Sequence, residues 1–129
     1  MPRVSAAFFG MGVLCVLTGM MFGIHMAQTE NFAVAPAHAH LNLLGWVTMG
    51  LYGTFYALTA ATLSPRLAWA NFILSALGVL LMIPFLALYL SHGNDPKYGP
   101  GIAAGSVLTV LGMLVFGVSV VRELIRKRA

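Results

Sequence analysis

The chain has 129 residues, enough for one domain, of which 60% are hydrophobic and only 8% charged, against about a quarter charged in a soluble domain. With a mean hydropathy of +0.90 its natural solvent is lipid, and the basic residues behind its formal charge of +4 sit at helix ends, where they set topology and do not read as a nucleic-acid surface. The single cysteine, Cys15, lies in an apolar run and excludes an internal disulfide, a c-type heme attachment, an iron–sulfur cluster and a thioredoxin-like site.

A span needs about 20 mostly apolar residues, and four runs qualify. The expected fold class is all-α, an integral membrane four-helix unit in one domain over residues 1–129. The first span runs from about Val4 to Met26, with Gly19 and Gly23 at the spacing that favours tight helix contacts. It is longer than a secretory signal core, so a retained helix is expected. A link from Gln28 to Ala35 leads to the second span, whose body runs from His40 to Thr62 and whose first turn begins near Pro36 and takes in His38. The turn Ser64-Pro65-Arg66 precedes the third span, Leu67 to Leu90. A link from Ser91 to Pro100, rich in Gly, Asn and Pro, leads to the fourth, Ile102 to Val121, near whose start Gly101 and Gly105 repeat the glycine spacing. Short links pack neighbouring spans as antiparallel pairs.

Arg3, Arg66, Arg122, Arg126, Lys127 and Arg128 fall on one side of this arrangement, and Glu30, Asp95 and Lys97 on the other. The positive-inside rule then places a multi-pass protein in the cell inner membrane with both termini cytoplasmic. Glu123, between Arg122 and Arg126, reads as half of a surface ion pair. No carboxylate lies within a span, so no proton relay of the usual kind is expected.

All four histidines, His25, His38, His40 and His92, fall on the outer side. Histidines near helix ends often just meet water and head groups, and that is the plain reading for His25 and His92. His38 and His40 lie just inside an apolar run, where ionisable groups are costly and usually functional. Residues two apart on a helix are about 200° apart, so this pair cannot easily grip one small ion and suits two sites on opposite sides. The His38 side continues through Asn42, Gly45, Met49, Tyr52 and Tyr56, and the His40 side through Leu44, Val47, Leu51 and Leu58.

The run Ala37-His38-Ala39-His40-Leu41-Asn42-Leu43-Leu44-Gly45-Trp46-Val47 resembles the heme-ligand helices in subunit I of heme–copper oxidases and nitric oxide reductases. In that family a His-x-His pair ligates two hemes on opposite sides of one helix. Its twelve helices form three four-helix arcs, and this chain resembles a single arc. The resemblance implies b-type heme, held by His38 and His40 with Asn42, Gly45 and Trp46 lining the pocket, and electron transfer with a quinol or cytochrome as redox partner. It also implies a homotrimer, in which three copies in lipid rebuild the ring. The family's copper site needs a His-His pair that this sequence lacks, so no complete oxidase active site is implied. A second expectation is an outer-face copper or zinc protein, a metal chaperone or assembly factor using His25, His38, His40 and His92, since imidazole suits both metals. A third is a structural subunit without cofactor.

Overall fold

Backbone N–H and C=O groups in lipid find no water, so each apolar run must satisfy its own by forming a helix. The computed structural model describes residues 1–127, and these are helices joined by short links, with no strand among the described residues. Arg128, of the C-terminal basic cluster, lies outside the described residues. In chain order the helices are α1 (Arg3–Thr29), α2 (Ala35–His40), α3 (Thr48–Leu58), α4 (Pro65–Ser91) and α5 (Gly99–Ile125). Helices α1, α4 and α5 have 27 residues each, about 40 Å at the α-helical rise. Those three runs are long and apolar enough to cross a membrane.

The second span is built differently from the expectation. Helix α2 opens with Pro36 in its first turn, where a missing N–H is no loss. Residues Leu41–Val47 then widen into a π turn, and α3 resumes the α geometry. The backbone is helical at both joints, so Ala35 to Leu58 is one rod. Its buried positions explain the widening. Ala37, Leu41, Gly45, Met49 and Gly53 are buried and each is four residues from the last. In an α-helix a step of four overshoots one turn by about 40°, so this stripe would wind away from its partner. A turn closed by i to i+5 bonds takes the overshoot back. Thr48 closes it twice, its N–H and its hydroxyl both reaching the Leu43 carbonyl, the hydroxyl at 2.8 Å.

The rod ends at Leu58 instead of Thr62. A 3-10 turn, Ala60–Thr62, follows, and Ser64 is extended at φ −93 and ψ 105, as a residue preceding proline prefers. The other helices outrun the expected spans, α1 reaching Thr29 and α5 reaching Ile125. Polar residues at the membrane surface can continue a helix that lipid no longer requires.

Glycines set the helix contacts. Helix α1 lies on the rod with Cys15 over Gly45 and Phe8 over Gly53. Helices α4 and α5 pack more closely still, with Phe85 on Gly101, Met82 on Gly105, Thr109 on Gly78 and Ser75 on Gly112. The core joins all the rods through aromatic rings: Phe8 of α1 meets Tyr52 of α3 at 5.4 Å and Phe72 of α4 at 5.2 Å, and Tyr52 meets Phe116 of α5 at 4.6 Å. A polar ladder runs beside them. Fully buried Asn71 donates to the Tyr56 hydroxyl at 3.2 Å and accepts from Ser75 at 3.0 Å, and Tyr56 meets the Ser119 hydroxyl at 3.2 Å. Each of these groups would be costly in hydrocarbon if unpaired.

Candidate functional site at the histidine end of the bundle

His25 lies near the end of α1, His38 and His40 in α2, and His92 caps α4. With antiparallel neighbours these positions share one end of the bundle, and the Arg66 turn lies at the other.

His40 is exposed, and its Nδ1 lies 2.7 Å from the Pro36 carbonyl. A carbonyl only accepts, so Nδ1 carries the proton and donates. The Nε2 lone pair is thereby left free and the ring is held in one orientation. Leu43, Val47 and Leu51 form an exposed apolar flank on the following turns of the rod.

His38 is turned the other way. It is half-buried against α1, its Cε1 only 3.3 Å from where a Cβ on Gly23 would lie. Asn42 sits one turn on, over Gly19, where any Cβ would collide with the carboxamide oxygen. The glycine pair of α1 is therefore the seat for His38 and Asn42. The Asn42 amide nitrogen lies 3.4 Å from His38 Nε2. The other polar atom of each side chain, His38 Nδ1 and Asn42 Oδ1, is buried without a hydrogen-bond partner. Gly45 is covered by Cys15, and the Trp46 ring rests 3.0 Å from the Cβ position of Gly12. Of the residues expected to line a pocket, His38, Asn42, Gly45 and Trp46 thus lean on α1, while His40 stands apart from them.

His92 repeats the His40 arrangement. It is exposed, its Nδ1 is 2.9 Å from the Leu88 carbonyl and 3.2 Å from the Ser91 hydroxyl, and its ring centroid is 5.7 Å from that of Tyr98. The same reasoning frees its Nε2. His25 is exposed, and its backbone carbonyl accepts from Thr29. Among the described residues no three His, Cys, Asp or Glu side chains gather as a metal site. A four-histidine copper or zinc site is not assembled within one chain.

An apolar groove of about 320 Å³ between α1 and α4 is lined by Cys15, Phe22, Leu41 and Val79 among others, and a cleft of about 430 Å³ opens between α3 and α5 at the opposite end. Neither is lined by a histidine.

Two features had no counterpart in the sequence reading. The π turn directly after the histidine pair carries no local sequence signal. Its nearest trace is the run of buried small and apolar residues every fourth position, visible once burial is known. The second is Glu123, where the expected ion pair is replaced. Its Oε2 accepts from the Thr62 hydroxyl at 2.6 Å, and the ion pair found among the described residues is Lys97 with Asp95 at 3.6 Å. The turn after α3 brings Thr62 to the carboxylate, whereas Arg122 and Arg126 are exposed.

Comparison with protein-family models, curated proteins and solved structures yields no match to this chain.

Proposed function

We propose that this is a membrane-embedded b-type heme protein of electron transfer, resembling one arc of heme–copper oxidase subunit I without its copper site. We place it in the inner membrane with both termini cytoplasmic, as the one-sided basic residues favour. The observation that carries the reading is His40: an imidazole pinned through Nδ1 to Pro36, with Nε2 free beside an exposed apolar flank. That is the arrangement in which imidazole serves as an axial ligand, its second nitrogen donating to a carbonyl. His38 adds to it, because buried polar atoms without partners call for a ligand.

Heme bound by His40 and a second imidazole would supply one-electron transfer. The chain's own residues do the rest. Pro36 orients His40, Asn42 contacts His38, and Leu43, Val47 and Leu51 keep water from the apolar flank. His38 and His40 face apart, so one chain cannot offer both to one iron. A closed ring resolves this, with His40 of one copy opposed by His38 of the next, and the resemblance favours three copies. The free Nε2 of His92 supports a second reading, in which His92 is the opposing ligand and His38 is held for packing.

The absorbance spectrum of the purified protein, oxidised and reduced, tests the proposal. We expect sharp Soret and alpha bands, lost or converted in His40→Ala. Loss in His38→Ala with His92→Ala unaffected supports the first ligand pairing, and the converse supports the second. A colourless protein after expression with ample heme, or a spectrum unchanged in His40→Ala, overturns the reading.

A further inference from the structure

The end of the bundle opposite the histidines holds a cavity that the heme reading does not use. The cleft of about 430 Å³ between α3 and α5 is lined by Arg122, Arg126, Thr59 and Ser64, with Phe55 and Leu63 as its apolar wall. Its one carboxylate, Glu123, is engaged by the Thr62 hydroxyl at 2.6 Å. The Thr59 hydroxyl donates to the Phe55 carbonyl at 2.8 Å, so two guanidiniums and the Ser64 hydroxyl remain for an anion. Guanidinium matches phosphate oxygens in a planar fork.

A second cavity continues from the same arginine. A groove of about 570 Å³ runs along the outer face of α5 over Met113, Leu114, Gly117, Val118 and Val121, and Arg122 closes one end. Its floor is Gly117, around whose Cβ position nothing lies within 4 Å. A polar, positively charged cleft that shares a residue with an elongated apolar groove matches a molecule with a charged head and a hydrocarbon tail. Two arginines against one engaged carboxylate select a negative head. The helix ends that carry these arginines lie where a leaflet places its head groups, and basic pockets between helices at that depth hold anionic head groups.

We propose that the cleft and the groove together form a binding site for one anionic phospholipid, its phosphate between Arg122 and Arg126 and one acyl chain along the α5 groove over Gly117. A soluble phosphate would use only the cleft. A zwitterionic lipid would use the groove without its charge preference. A second copy of the chain would fill the groove without any lipid.

The test uses the full-length protein in neutral detergent, with the unfolding midpoint followed on adding phosphatidylglycerol, phosphatidylcholine with the same acyl chains, or inorganic phosphate. Phosphatidylglycerol should raise the midpoint by about 4 °C or more, and the other two by much less. Arg122→Gln and Arg126→Gln, both at exposed positions, should keep the midpoint of the lipid-free protein and lose most of the response. Gly117→Leu, which fills the groove, should weaken the response to phosphatidylglycerol with the arginines intact. Equal stabilisation by phosphatidylcholine, full stabilisation by inorganic phosphate, or an undiminished response in either arginine variant overturns the proposal. So does a midpoint that rises with protein concentration and is indifferent to lipid.

Discussion

The α4–α5 contact allows a quantitative test of the packing. A Cβ placed on Gly105 would lie 2.5 Å from the Met82 nitrogen, 2.6 Å from its Cβ and 2.7 Å from its Cα. Two of these three atoms are backbone, so no rotamer change relieves the clash. Replacing Gly105 with Ala must therefore move the two helices apart by about 1 Å to restore ordinary contact, and a gap of that size forfeits roughly a quarter to a half of the dispersion energy of the atoms facing it. Overpacking of this kind costs about 1–3 kcal/mol. Alanine also returns up to about 1 kcal/mol through its helix preference, which would obscure the result if read alone. Gly117→Ala cancels that contribution, since Gly117 lies in the same helix with open space around its Cβ position. The expected difference between the two variants is about 1–3 kcal/mol, with Gly105→Ala the less stable. Unfolding in mixed micelles of increasing dodecyl sulfate content, followed by tryptophan fluorescence, measures it. Equal stabilities within about 0.5 kcal/mol would refute a backbone-tight crossing at Gly105.

At the histidine end, Gly19→Ala should displace the Asn42 carboxamide and break its contact with His38, at a cost of about 1 kcal/mol. Nitrogen NMR of histidine-labelled protein should then show the His38 imidazole resonances shifting. Gly10→Ala, at a position with nothing within 4 Å, should leave them in place, and identical spectra for the two variants would remove Gly19 as the seat of Asn42. For the orientation, Glu30→Cys and Asp95→Cys should react with an impermeant thiol reagent from outside the cell and Arg66→Cys only from the cytoplasm. Cys15 is buried and gives little background. Labelling of position 66 from outside would invert the assignment and move the histidines to the cytoplasmic side.

Length and hydropathy made the long helices legible, because lipid leaves an apolar run of that size no other way to satisfy its backbone. The glycine spacings were legible too: Gly19 and Gly23 seat Asn42 and His38, and Gly101 and Gly105 seat Phe85 and Met82. Periodicity likewise separated the buried side of the second rod, with Met49, Tyr52 and Tyr56, from the exposed side, with Val47, Leu51 and Leu58, but it misplaced Leu44, which the π turn leaves half-buried against the core. What stayed hidden depended on a partner distant in sequence. Glu123 has arginines beside it in the chain, yet its bond goes to Thr62, which only the turn after α3 brings near. The contact of the exposed Trp46 ring with α1 depends likewise on Gly12 of another helix.

An extra residue in a helix is usually taken to turn everything beyond it. In the second rod the π turn absorbs it. Residues Leu41–Val47 hold one residue more per turn than the helix on either side. A chain one residue shorter there would close as a plain α-helix with every backbone bond made. Because the wider turn advances by less per residue, its histidine end would keep nearly its present bearing relative to Tyr52 and Tyr56, which the aromatic core and the polar ladder hold fixed. The same residues wound as a plain α-helix would instead turn that end by about 100°, taking His40 off its exposed flank and His38 off its glycine seat. The rod thus stores a surplus residue, and the bearing of the two imidazoles depends on its staying in the turn.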